Sequence, residues 1–334
     1  MAGLKKISLK DIAEAAGVST ALVSFVMNGK GKEYRVGEET AQRIMKIANE
    51  MNYHPNIAAK SLRSGKTKTI GLVVSDISNP FFAQLARVLE DEATKRDYTV
   101  LFGSSDEDTK KMNRVVAHLI NKGVDGLIIV PCENSEKSIA TLMNNNVPIV
   151  LFDRYFPNLN VSYVALNNFG ASYTATKFLL ENGYKSPCMV AYDVELIHMK
   201  ERIRGYRKAM EECGKRQACN VVFLKQDAPL KSAERLLPKM TGAGVDSFVF
   251  ATNMISLACL YVIKELKNEV VERLGLVGFD GNPVFDFFSS PISYIQQPVD
   301  VLVQKALGIL IDSIDNGNTV QSVLAEGVFV SKVP

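Results

Sequence analysis

The sequence predicts an α/β protein: an all-α N-terminal unit followed by a body of two lobes, each a doubly wound parallel sheet. Three observations predict it. Apolar residues recur at helical spacing from Ser8 to about Asn52. From Thr69 onward, short apolar runs alternate with amphipathic stretches, as buried parallel strands separated by helices do. The chain has 334 residues, too many for one ordinary core, and the roughly 265 beyond Lys68 should divide into two.

Ser8-Leu-Lys-Asp11 reads as a helix start, a capping Ser with an acid three residues on. Leu9, Ile12, Ala13 and Ala16 then share a face, and Gly17 can supply the positive φ that ends the helix. Ser19 caps a second helix, with Leu22, Val23 and Val26 inward and Thr20, Ala21, Ser24 and Phe25 outward. Two short helices joined by a tight glycine turn make a helix-turn-helix. A third helix runs from about Gly37 to Asn52 on Ile44, Ile47, Ala48 and Met51. A generic three-helix bundle would fit this pattern. A face of small and polar residues has more purpose in a DNA major groove, where short side chains let a helix approach base edges.

In the body, strands are expected at Thr69–Ser75, Thr99–Gly103, Gly126–Val130, Ile149–Phe152, Pro187–Ala191, Ser247–Phe250 and Leu274–Phe279, and helices at Phe81–Arg96 and Thr109–Lys122. Such sheets bind ligands at the carboxyl ends of their strands, and two lobes can turn those ends toward each other across a cleft.

Composition narrows the function. Residues 1–66 hold eleven Lys and Arg against six Asp and Glu, whereas the remainder is mildly acidic, so a polyanion suits the first unit. The five cysteines are scattered and unpaired by spacing, which reads as reduced structural thiols. No apolar run is long enough to span a bilayer, and the polar N-terminus has no signal core, so a cytoplasmic protein without membrane partners is expected. With three histidines, no glycine-rich phosphate loop and no nucleophile–base pattern, neither enzymatic activity nor a cofactor or metal is expected.

Asp11-Ile-Ala-Glu-Ala-Ala-Gly-Val-Ser19, then Val23-Ser24, Asn28, Asn52-Tyr53-His54-Pro55-Asn56 and Ile57-Ala-Ala-Lys-Ser-Leu62-Arg63-Ser-Gly65, resembles the headpiece and hinge of LacI-type transcription regulators. The resemblance implies a DNA-binding headpiece over residues 1–55, a hinge helix and linker over 56–68, and an effector-binding and dimerisation domain over 69–334. It implies that Thr20 and Ala21 face bases, that Ser19, Ser24 and Asn28 meet phosphates, and that Asn56 and Ala59 belong to a hinge at the minor groove. Leu62 would wedge between base pairs at the centre of a pseudo-palindromic operator. Two departures stand out. Phe25 occupies a position where many relatives carry a guanine-reading Arg, so it either meets a thymine methyl or packs in the headpiece. Gly29–Arg35 is a longer loop than usual, and its Lys30, Lys32 and Arg35 either grip phosphate or are merely solvated.

The body resembles ribose-type periplasmic sugar-binding proteins, with crossovers expected near 165 and 297. The motifs that carry this are Ser78-Asn79-Pro-Phe81-Phe82, Phe152-Asp153-Arg154, Glu201-Arg202-Ile-Arg-Gly205-Tyr206, Phe250-Ala-Thr-Asn253, Gly278-Phe279-Asp280 and Gln296-Gln297-Pro298. They suggest a sugar site in which Phe81 and Phe82 offer ring faces and Asp153 and Asp280 accept from hydroxyls. Arg154 and Arg202 donate, Asn79, Asn253 and Gln297 do both, and Asp106 is added from Gly103-Ser-Ser-Asp106. Met254 stands where relatives often carry an Asp, which removes one acceptor. The expected function is a repressor-type regulator of carbohydrate-utilisation genes: a homodimer on double-stranded DNA, controlled by a sugar or sugar derivative between the lobes. The rivals are a transporter's sugar-binding protein and a regulator that senses a nucleobase.

Overall fold

The computed structural model describes residues 7–53, 65–215, 219–317 and 319–332. It comprises two compact units, residues 1–67 and 68–334. In the first, α1 (Leu9–Ala16), α2 (Thr20–Met27) and α3 (Glu38–Glu50) bury Ile12, Ala13, Ala16, Val23, Val26, Ile44 and Ala48 against one another. The caps follow the sequence. Ser8 Oγ accepts from the Asp11 amide while the Asp11 carboxylate accepts from the Ser8 amide at 2.7 Å. Gly17 sits at φ 65°, a left-handed conformation that closes α1. Ser19 Oγ then accepts from the Leu22 amide to open α2.

The second unit holds two six-stranded sheets. Its elements are β1 (Thr69–Val74), α4 (Pro80–Thr94), β2 (Thr99–Ser104), α5 (Thr109–Asn121), β3 (Gly126–Ile129), α6 (Glu136–Asn144), β4 (Ile149–Phe152), β5 (Tyr163–Leu166), α7 (Asn168–Glu181), β6 (Pro187–Tyr192), α8 (Ile197–Glu212), β7 (Asn220–Leu224), α9 (Pro229–Gly242), β8 (Ser247–Phe250), α10 (Asn253–Ile263), β9 (Gly275–Phe279), β10 (Ile292–Gln296), α11 (Val299–Asn316), β11 (Ser322–Ala325) and β12 (Val328–Val330). The first lobe's sheet runs β11-β5-β4-β3-β1-β2, and the second lobe's runs β12-β10-β9-β8-β6-β7. The pairings are parallel except β10 with β12. Successive residues of the central strands feed opposite layers: Ile70, Leu72 and Val74 join one apolar cluster, while Val73, Leu127 and Ile129 join another. That two-sided burial is why these strands read as unbroken apolar runs. The chain crosses between lobes at Asn167, at 297–298 and at 326–327, so the strand ends of both sheets open on one cleft.

Candidate functional site

On the headpiece, Thr20 and Ala21 are exposed at the start of α2, with Ser24 half-buried one turn on. Asn28 closes the helix and donates from Nδ2 to Ser24 O at 2.7 Å. Phe25 stacks on Tyr34, ring centroids 3.7 Å apart and planes 2° from parallel. Lys30, Lys32 and Arg35 are exposed, with Lys30 Nζ 3.7 Å from the Glu33 carboxylate. Asn56, Ala59 and Leu62 lie outside the described residues.

In the body, a buried cluster of charge forms where strand ends meet. Asp153 follows β4 and Asp280 follows β9, and both take left-handed backbone, φ 65° and 60°. Asp tolerates that conformation better than most residues, and it turns each carboxyl off the end of its sheet. Arg154 makes a two-armed ion pair with Glu107, 2.7 Å on each arm, and its Nε lies 3.6 Å from Asp153. Arg202 enters from α8. It donates from Nε to Asn168 Oδ1 at 2.7 Å, donates to Ala251 O, and lies over the Phe279 ring at 4.0 Å. Gly205 makes this approach possible, because a Cβ there would stand 2.2 Å from Phe169 O of α7. Tyr206 pins the same turn by donating to Pro187 O at 2.8 Å.

Burial governs the protonation of this cluster. Asp280 is pushed up to about 6 by desolvation, which the Arg202 charge and a hydrogen bond from Gln297 only partly oppose. Asp153 is raised for the same reason against the pull of Arg154 and Arg202. His198, on the first turn of α8, is held well below the usual imidazole range by burial and by the charges of Arg154 and Arg202, so it is neutral at pH 7. Five buried atoms here, Ser75 Oγ, Arg154 Nε, His198 Nδ1, Asp280 Oδ1 and Gln297 Oε1, have no hydrogen-bond partner among the described residues. Buried polar groups are rarely left so, and a convergent set marks a place for a polar ligand.

The two lobes touch across the cleft. Asn253 Nδ2 donates to Asn79 Oδ1 at 3.1 Å, and the Glu195 amide donates to Glu133 Oε1 at 2.8 Å. Asn79 also caps α4, accepting from the Phe81 amide.

Of the residues expected from sequence, the structure gathers Asp153, Arg154, Arg202, Asp280 and Gln297 and joins Asn79 to Asn253. Phe81 and Phe82 belong to the apolar cluster of the first lobe, where they pack edge to face 5.1 Å apart. Asp106 stands outside the cluster: its side chain is 59% exposed, bonded to Ser104 and paired with Lys111. The reason is a double left-handed turn, φ 50° at Asp106 and 57° at Glu107, which sends Glu107 inward to Arg154 instead. Glu107, His198, Ser75 and Asn168 were not singled out by sequence. Glu107 carried a signal as the neighbour of the chosen acid. His198 carried one as a histidine one turn before Arg202 on the same helix.

Comparison with known proteins agrees with this architecture. Residues 8–56 match the family described as bacterial regulatory proteins, lacI family, and residues 70–285 match the periplasmic binding protein domain. The chain is 31% identical to the HTH-type transcriptional regulator DegA of Bacillus subtilis, over 88% of this chain and 87% of that one. It is 30% identical to the HTH-type transcriptional repressor PurR of Aliivibrio salmonicida, over 92% of both. The fold matches the lac repressor dimer bound to operator and the anti-inducer ONPF, with a TM-score of 0.84 and 20% identity over 98% of each chain. By motif, topology and sequence, the chain belongs to the LacI family of DNA-binding transcriptional regulators.

Proposed function

We propose that this regulator represses carbohydrate-utilisation genes and that its cleft takes a neutral, hydroxyl-rich small molecule of the sugar class. The observation that carries the effector reading is the set of five unpartnered buried polar atoms around Asp153, Arg154, Arg202 and Asp280. Charge refines it. Two guanidiniums, Arg154 and Arg202, face three carboxylates, Glu107, Asp153 and Asp280, and His198 is neutral. Arg154 is committed to Glu107. No cation of this cluster is spare for a phosphate or a uronate, whereas hydroxyls can donate to Asp280 and Gln297 and accept from Arg154. Effector binding biases lobe closure, which makes or breaks the Asn79–Asn253 and Glu133–Glu195 contacts. DNA and effector then alter each other's affinity by one common factor.

The DNA-facing set is Thr20, Ala21, Ser24 and Phe25 on α2, its caps Ser19 and Asn28, the loop residues Lys30, Lys32 and Arg35, and the hinge residues Asn56, Ala59 and Leu62. Self-association as a homodimer is supported by apolar residues exposed on the second lobe. Leu230 and Tyr261 share a shallow depression, and Phe287 is 88% exposed. A thermal-shift panel tests the effector. Neutral pentoses, hexoses and disaccharides are compared with their phosphates, uronic acids and purine bases, and a neutral sugar should raise the melting temperature with concentration. The relatives named PurR favour a purine as the second reading. A shift from purines alone would install it.

A further inference from the structure

Phe25 is an apolar side chain that the headpiece core does not use. Val23 and Val26, on either side of it along α2, are buried in that core, while Phe25 is absent from it. Its ring is covered by Tyr34, which is itself 48% exposed and also outside the core. Ala21 precedes Phe25 by four residues, so the two share one outward face of the helix, with Thr20 and Ser24 beside them. The segment after α2 folds back to hold the stack. The Lys30 amide donates to Phe25 O at 2.9 Å, Tyr34 to Lys30 O at 3.1 Å and Val36 to Gly31 O at 2.8 Å, with Gly29 at φ 72° and Arg35 at φ 53°. Around this aromatic ridge Lys30, Lys32 and Arg35 are exposed, and Glu33 offsets only Lys30.

We infer that the Phe25–Tyr34 stack is a base-reading element that meets a thymine methyl in the major groove, with Tyr34 as the residue that positions Phe25. The inference rests on α2 being the helix that enters the groove. Two parallel rings present an apolar edge with no amide or guanidinium to pair with guanine or adenine. Along the floor of the major groove the thymine C5-methyl is the apolar feature such an edge can fit. The cations set into the same loop sit where phosphates flank that groove and hold the ridge in register. Stacking also removes the rotamer freedom Phe25 would otherwise lose on binding.

The test uses the full-length protein and the duplex it selects from a random pool. Each thymine of the selected site is replaced in turn by deoxyuridine, which deletes one methyl and nothing else. At one position in each half-site, wild-type binding should weaken about three- to tenfold, as expected for burial of a single methyl. Phe25→Ala should bind the thymine and deoxyuridine duplexes alike, and Phe25→Leu should keep part of the discrimination. Tyr34→Ala should reduce the ratio and Tyr34→Phe should preserve it. If wild-type protein is indifferent to deoxyuridine at every position, or if Phe25→Ala retains the full ratio, the inference is overturned. If Tyr34→Ala weakens both duplexes equally and leaves the ratio intact, the stack is only a loop staple and the positioning role is overturned. Failure to select any sequence would instead overturn the assignment of α2 to the groove.

Discussion

The two polar surfaces of this chain are built on opposite terms. On α2 the polar side chains are exposed or half-buried and largely satisfied by their own helix, as Asn28 is by Ser24 and Ser19 by its capping bond. At the cleft they are buried, charged and interlocked, and several have atoms left unpaired. A solvated surface reads a long polymer by adding many small, nearly independent contacts. A buried cluster recognises a small molecule through a few strong, coupled ones, and it carries a stability cost while it waits. Substitutions in the cleft should therefore act strongly on folding and cooperatively, whereas those on the headpiece should act weakly, additively and mostly on DNA binding.

The largest effect belongs to Arg202→Ala. It leaves Asp153 and Asp280 buried beside no Arg202 charge and strips Asn168 and Ala251 O of their donor. Removing one partner from a buried ionic cluster costs about 3–5 kcal/mol. Urea unfolding of the body should shift accordingly, and effector response should vanish. An unchanged urea midpoint would break the contrast between the two surfaces.

Asp280→Asn should move stability the other way. The folded protein retains a proton on Asp280 up to about pH 6, while the unfolded chain has released it near pH 4. Native protein binds more protons across that window, so this group's contribution to stability falls as pH rises through it and stays low above. The penalty at pH 8 is at most about 3 kcal/mol. Asp280→Asn removes it, so the ligand-free variant should melt above wild type at pH 8, with the advantage closing as pH drops below about 6. His198 has the opposite sign: it is neutral when folded, so it weakens the protein on acidification. It is common to both proteins and cancels in their difference. A gain in stability paired with loss of effector binding would mark the carboxylate as held for function.

Both folds were legible in the sequence because each rests on a strong local signal. The headpiece has a capping box, a left-handed glycine and a second capping serine in succession. The central strands are buried on both faces and so are uniformly apolar. The strands that escaped notice include β7, β11 and β12, which lie at sheet edges, where burial is partial and the apolar run breaks up. Asp153, Arg154, Asp280 and Gln297 were found because a polar residue just after an apolar strand has a known place in such a fold. Glu107 was passed over for Asp106 because two consecutive left-handed residues invert which side chain points inward, and no periodicity encodes that. Phe81 and Phe82 illustrate the converse. An aromatic pair after a strand reads as a binding wall, yet at the start of α4 it also serves as core, and only packing distinguishes the two.

Within the headpiece the expected effects are smaller. Ser8→Ala removes the hydroxyl half of the capping box, the Oγ that accepts from the Asp11 amide and donates to the Asp11 carboxylate, while the Ser8 amide keeps its bond to that carboxylate, and should cost about 1 kcal/mol. Hydrogen exchange should locate the loss: amides of α1 should exchange about fivefold faster, with those of β1 and β4 unchanged. Faster exchange in the body as well would mean that the two units share one cooperative unfolding, and the comparison would need to be redrawn around that coupling.

The smallest effect sharpens the comparison most. Lys32 is exposed and, unlike Lys30, has no carboxylate within ion-pair reach among the described residues. If it meets a phosphate, its charge acts by releasing condensed counterions, which is indifferent to sequence. Lys32→Ala should then lower affinity for every duplex by one factor and reduce the slope of log affinity against log salt by about 1. Folding stability should stay within about 0.5 kcal/mol of wild type, as for a surface site with no packed neighbours. The preferred sequence should be retained, because phosphate contacts set register without reading bases. A Lys32→Ala protein whose salt slope is unchanged but whose preferred sequence shifts would assign this loop to reading, and would place Lys32 with Phe25 and Tyr34 on the side of specificity.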